Sequence, residues 1–355
     1  MTVGSIDLKK QKRDGELAVT LYAPQSVDLR RVSQDRGNVT CLFAVVLSAP
    51  FDSLRAVLQF DSSTLDPRSF DLEPCTPSTM LRPHLLVIIT GANRGFGKAI
   101  AHAFANSSAG SASSRLSFVF VGRNTEALER VRSEFASETI QVEIVGDVQF
   151  DEIEKADEWL RRIQEAIETI RKTSPPITKA ILINNAGSLG DLSQTVARYD
   201  WRDVKRFTDI NIVSFSALCS SFLSHFRQRA TSPDDVRPFP PSLVVVNISS
   251  LLALQPSPYW GLYSTAKVAR DQLLKVIALE EANNDVKTLS YAPGPMDNDM
   301  QRDVRHTLGD AEQKELYSKM HAESKLVRME DSAAKLVEIL AADEFTSGVH
   351  IDYYD

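Results

Sequence analysis

The chain has 355 residues, 43% hydrophobic and 25% charged, which is enough apolar matter for a large core and excludes a disordered protein. A formal net charge of -7 argues against a nucleic-acid surface as the main partner. The three cysteines, Cys41, Cys75 and Cys219, lie far apart with no CxxC pair and no metal-ligand rhythm, a pattern that fits free thiols in a reducing compartment and no metal site.

Residues 1–83 mix charged stretches with one apolar run, about Val39 to Phe51. That run falls short of the ~20 residues a bilayer span needs. It also lies too deep in the chain, behind too many charges, to be a secretory signal. A cytoplasmic protein with no membrane association is expected. The Pro/Ser/Asp-rich stretch from Asp61 to Pro83 reads as a linker. Residues 1–83 are therefore expected to be a poorly ordered extension, and 84–355 one dinucleotide-binding domain.

From Leu85 short apolar runs alternate with amphipathic stretches, the βαβ signature of a parallel sheet covered by helices. Strands are predicted at Leu85–Ile89, Ser117–Val121, Gln141–Val145, Ala180–Ile183, Leu243–Ile248, Lys287–Tyr291 and Gly348–Tyr353. Helices are predicted to open near Gly95, Thr125, Asp151, Asp200, Leu262, Asp297 and Asp331. The fold class is α/β: a doubly wound, Rossmann-type parallel sheet of about seven strands with helices on both faces. Ligands of such sheets bind beyond the carboxyl ends of the strands, so each strand-end residue is a candidate.

The first strand runs into Thr90-Gly91-Ala92-Asn93-Arg94-Gly95-Phe96-Gly97 and then a helix. Glycines admit a phosphate close to the backbone, and the helix N-terminus supplies free N–H groups and partial positive charge. The second strand ends at Val121-Gly122-Arg123-Asn124, where an NAD site usually carries an acid for the ribose hydroxyls. Arg123 and Arg94 together would clamp a 2′-phosphate, which favours NADPH/NADP+. Asp147, after the third strand, is a candidate for the adenine amino group or, equally, a turn or cap aspartate.

The fourth strand ends in Asn184-Asn185-Ala186-Gly187, and the fifth in Asn247-Ile248-Ser249-Ser250. The helix that follows carries Tyr263-Ser264-Thr265-Ala266-Lys267, with Tyr263 and Lys267 on one face. An ammonium beside the phenol favours its ionised form, while burial opposes the shift. Tyr263 is expected to move down from about 10 toward neutrality and act as general acid, with Ser250 binding the substrate carbonyl.

These motifs, from about Leu85 to Asp355, resemble the short-chain dehydrogenase/reductase superfamily. The resemblance implies an NADPH-dependent carbonyl reductase with the tetrad Asn211, Ser250, Tyr263 and Lys267, the asparagine helping to hold a relay water. It also implies cofactor contacts from Gly91, Asn93, Arg94, Gly95, Phe96, Gly97, Arg123, Asn124, Asp147, Asn185, Tyr263 and Lys267. Further segments are similar to the pterin-reducing branch: Leu182 to Asp191, Ala253 to Pro256, Ala269-Arg270-Asp271, Ala278 to Glu281, Tyr291 to Pro295 with Asp299 to Gln301, and Ser347 to Asp355. That likeness implies a pterin substrate reduced at its C6 side-chain carbonyl, in tetrahydrobiopterin synthesis. Ser250, Gly294 and Asp352 would then touch substrate, and Met296 to Gln301 would border the cofactor. The family likeness also implies a homodimer paired through the helices that carry Asn211 and Tyr263. A chain starting at Met80 would have the family's usual shape. Two other readings stay open: a reductase of diketones or other small carbonyls, and a non-catalytic NADP(H) sensor.

Overall fold

Seven runs rich in apolar residues form seven strands: β1 (His84–Thr90), β2 (Arg115–Val121), β3 (Ile140–Val145), β4 (Lys179–Asn184), β5 (Ser242–Ile248), β6 (Val286–Ala292) and β7 (Val349–Asp352). Continuous burial along β2, β4 and β5 is what a parallel sheet covered on both faces requires. All neighbours pair in parallel, in the order β7-β6-β5-β4-β1-β2-β3. The computed structural model describes residues 83–107, 114–135, 137–227 and 242–355, and backbone segments within residues 1–82.

Nine helices are described: α1 (Gly95–Asn106), α2 (Thr125–Ser133), α3 (Ala156–Thr173), α4 (Trp201–Thr208), α5 (Ser214–Arg227), α6 (Gly261–Glu280), α7 (Asp299–Thr307), α8 (Ala311–Ala322) and α9 (Met329–Ala342). One face of the sheet packs against Phe96, Ile100 and Phe104 of α1, Leu128 and Val131 of α2, and Leu336 and Leu340 of α9. The other packs against Trp159, Ile163 and Ile167 of α3, Phe215, Phe222 and Phe226 of α5, and Leu274 and Ile277 of α6. The segment 201–227 is apolar and long enough by composition to cross a bilayer, but half of its most apolar window is spent inside this core.

Three differences from the predicted elements have local causes. The helix expected from Asp200 is interrupted by a π turn, Asp209–Val213, between α4 and α5. The helix expected near Asp151 waits until Ala156, after a short 3-10 turn at Ile153–Lys155. Helix α8 was not foreseen because it has no buried stripe to betray it.

The chain divides into Met1–Met80 and Leu81–Asp355. In the first unit the backbone pairs Asp7–Arg13 with Glu16–Tyr22, and Val27–Asp28 with Val46–Leu47, both antiparallel, where no strand period was read. Cys41 and Cys75 lie outside the described residues, as does most of the expected linker.

Candidate active site

The strand order reverses between β1 and β4, so the loops leaving these adjacent strands part to opposite faces. A cavity of about 1180 Å³ opens there, beyond the carboxyl ends of the strands. Its wall brings together Gly91, Asn93, Arg94, Gly95 and Phe96 from the first loop with Arg123, Asn185, Asn211, Ser250, Tyr263 and Lys267. Gly294, Met296, Gln301 and Asp352 join them from the segments after β6 and β7.

The glycine loop is shaped by close contact. Gly91 sits at φ +70° and donates its N–H to the Val121 carbonyl at 2.7 Å. Gly97 does not line the cavity but lies behind it, where a Cβ would stand 2.4 Å from the Gly91 carbonyl oxygen. Asn185 staples the loop to β4, its amide nitrogen donating to the Thr90 carbonyl at 3.0 Å. Helix α1 starts with no side-chain cap and no acid in its first turn, whereas Asn124, Asp200, Asn298 and Asp310 cap α2, α4, α7 and α8. Its first N–H groups are thus left for an anion, which is the donor set a dinucleotide pyrophosphate needs.

Several expected cofactor residues are placed otherwise. Arg94 is ion-paired with Asp299 at the start of α7, whereas Arg123, the other member of the expected arginine pair, has no ion pair among the described residues. Asn124 spends its side chain as the cap of α2, accepting from Ala127 N at 2.8 Å, and does not reach the wall. Asp147, in a left-handed conformation, accepts from Thr125 Oγ1 at 2.9 Å and stands outside the wall, as a turn aspartate would. Gln301 is buried, its side-chain oxygen taken by Arg305 at 2.5 Å.

Around the chemistry, Tyr263 and Lys267 both face the cavity from the first turns of α6. The Lys267 ammonium nitrogen lies 5.3 Å from the Tyr263 ring centre and donates to the Ile248 carbonyl at 2.5 Å. The expected electrostatics are reversed. Burial pushes the Tyr263 phenol up to about 12, with Arg270 and a hydrogen bond to Ser250 pulling the other way. Burial likewise pushes Lys267 down to about 7, helped by repulsion from Arg270 and opposed by Asp271. A lysine half-neutral at pH 7 is a weak source of field, and desolvation of the phenol wins.

Asn211 sits in the π turn, 3% exposed, a geometry common at functional sites. Its side-chain oxygen accepts from Ser188 N at 3.0 Å, its amide donates to the Phe207 carbonyl at 3.0 Å, and its own carbonyl accepts from Arg270. These three bonds make the residue a pin between α4 and α6.

Arg270, Asp271 and His350 carried no role in the sequence reading. Arg270 is fully buried, stacks 4.9 Å from the Phe215 ring and reaches the Ala186 carbonyl at 3.3 Å, tying α6 to the loop after β4. Burial lowers it to about 10, so it stays charged at neutral pH. Asp271 pairs with His350 Nδ1 at 2.7 Å. The signal was available for Asp271, which continues the four-residue spacing of Tyr263 and Lys267 along one helix face. Cys219, buried beneath the sheet and pushed up to about 12 by burial, is chemically quiet.

The model of the short chain dehydrogenase family matches residues 85–309. The sepiapterin reductase of Meriones unguiculatus is 38% identical over 275 residues, covering 76% of this chain and 95% of that one. The sepiapterin reductase of Rattus norvegicus is 36% identical over 272 residues, covering 76% and 95%. Among solved structures, a short chain dehydrogenase/reductase from Saccharomyces cerevisiae superposes with a TM-score of 0.60 at 23% identity, covering 77% of this chain and 96% of that one. The chain thus belongs to the short chain dehydrogenases and, within them, to the sepiapterin reductases, oxidoreductases that act on carbonyl and hydroxyl groups.

Proposed function

We propose that this protein reduces the C6 side-chain carbonyls of pterins with NADPH, a step of tetrahydrobiopterin synthesis. The observation that carries the reading is the convergence of Ser250, Tyr263 and Lys267 with Asp352 and an uncapped glycine-loop helix on one cavity. The residues fit a dinucleotide: α1 offers free N–H donors, Gly97 leaves no room for a side chain behind the loop, and Arg123 stands exposed in the wall. Arg123 supports NADPH over NADH, because a guanidinium binds a 2′-phosphate where an acid would repel it.

Reduced nicotinamide held by this loop supplies the hydride. Ser250 hydrogen-bonds the substrate carbonyl oxygen, and Tyr263 gives that oxygen its proton. A phenol raised to about 12 starts fully protonated at neutral pH, as an acid must, and an alkoxide is the stronger base, so transfer runs downhill. Lys267, held near neutrality, is suited to return a proton to the phenolate. Asp352 presents a carboxylate that can accept two parallel N–H bonds from an aminopyrimidinone edge. In the free protein one of its oxygens is taken by Tyr354 N at 3.0 Å. Gly294, at φ +77° with Val327 2.9 Å from any added Cβ, keeps the backbone clear beside it.

NADPH oxidation followed with sepiapterin tests the reading, with Tyr263→Phe alongside. Wild-type turnover that falls by about 100-fold or more in the variant supports it, that being the usual size of a general-acid contribution. Turnover of a small diketone but not sepiapterin would move the assignment to the diketone reading. Asp352→Asn separates the two: pterin reduction should drop by about 10-fold or more while diketone reduction holds, since only the pterin needs a charged double acceptor. We further read the protein as a cytoplasmic homodimer in which residues 1–83 take no part in catalysis. Exposed Val213, Val268 and Leu279 on the π turn and α6 support pairing there. Sizing chromatography that gives only monomer would reject the pairing.

A further inference from the structure

Tyr263, Lys267 and Asp271 recur every fourth residue of α6 and share one stripe. On β7, Val349 and Ile351 pack into the core on the α1 and α9 side of the sheet. Strand alternation then turns His350 and Asp352 to the opposite face, where α6 lies. The two stripes meet at one contact, His350 Nδ1 to Asp271 Oδ2 at 2.7 Å, between side chains 9% and 7% exposed. The other oxygen of Asp271 accepts from Asn247 at 2.9 Å. Asn247 precedes Ile248, whose carbonyl holds Lys267. Helix, central strand and edge strand are thereby fixed to one another directly beneath the cavity.

We propose that the Asp271–His350 pair is a positioning device for pterin recognition: it sets the spacing between the acid Tyr263 and the anchor Asp352, so that His350 governs pterin binding without touching the substrate. This rests on the pterin reading above. Strand β7 is only four residues long and pairs on one side alone, so its backbone ladder holds its tip weakly. His350 lies two residues, about 7 Å of strand, from Asp352. Its Nε2 is buried without a hydrogen-bond partner, so Asp271 is the one polar contact that the ring makes among the described residues. A buried hydrogen-bonded polar pair adds little stability over an apolar replacement of both partners, which leaves geometry as its contribution. Displacing a recognition group by about 1 Å can reduce turnover by about 100-fold.

The test uses the full chain with saturating NADPH, sepiapterin and a small aromatic diketone. His350→Leu should raise the sepiapterin KM by about 10-fold or more, while NADPH affinity and diketone kcat/KM stay within about twofold. His350→Asn keeps an N–H donor where Nδ1 stands and should recover most of the pterin KM. Should His350→Leu not fold, His350→Phe removes the same hydrogen bond while filling more of the ring's space, with the same expectation. Equal losses on both substrates, or no recovery in His350→Asn at an unchanged melting temperature, would overturn the proposal. Wild-type protein inert toward sepiapterin but active on the diketone would overturn the pterin reading first, and this inference with it.

Discussion

Replacing Lys267 by methionine should make the cofactor-free protein more stable while abolishing its activity, and the gain should shrink as pH rises. The lysine is buried, and its pKa falls from 10.5 to about 7. At ~1.4 kcal/mol per pH unit, the protein disfavours the ammonium by roughly 5 kcal/mol relative to water. Because the folded pKa is depressed in a base, the unfolded chain binds the extra proton between about pH 7 and 10.5, so stability rises with pH across that window and the full penalty stands below it. By this linkage the penalty is roughly 4 kcal/mol at pH 7 and roughly 2 kcal/mol at pH 9. Methionine removes it but forfeits the bond to the Ile248 carbonyl, worth about 1 kcal/mol. The expected gain is therefore roughly 3 kcal/mol at pH 7, falling by roughly 2 kcal/mol at pH 9. Urea unfolding of both proteins at the two pH values, without NADPH, measures it, and taking the difference cancels every group the two share. Parallel stabilities at both pH values would mean that Lys267 is solvated and charged in the free protein, and the argument from burial would fail.

Two further outcomes follow from the cofactor loop. Gly97→Ala places a methyl 2.4 Å from the Gly91 carbonyl and should destabilise by about 1–3 kcal/mol, with weakened NADPH binding, in a thermal melt and a fluorescence titration. An unchanged melt would show that the loop yields at no penalty. Arg123→Ala should raise the NADPH KM by about 10- to 100-fold and leave the NADH KM alone, the worth of one charge-assisted bond to phosphate. Equal rises for both cofactors would remove Arg123 from 2′-phosphate recognition.

The sequence by itself determined the seven strands, their parallel class and the loops that line the cavity. Those features are written locally: short, β-branched, two-sided apolar runs such as Leu243–Ile248 suit interior parallel strands, and a glycine-rich turn before a helix has few uses. The positions of Ser250, Tyr263 and Lys267 were legible too, because each follows from a strand end or from four-residue helical spacing, whereas Asp352 was implied only by the family resemblance. What those groups experience was not. The same four-residue spacing that put Lys267 beside Tyr263 suggested a cation lowering a phenol, yet burial by the surrounding layers outweighs the charge and moves both groups the other way. Only the tertiary structure decided that Arg94 meets Asp299, 205 positions away, and that Asp271 meets His350, 79 positions away. The division has a physical reason. Backbone periodicity depends on neighbours in the chain, whereas desolvation and pairing depend on which distant segments the fold brings together in a medium of low dielectric.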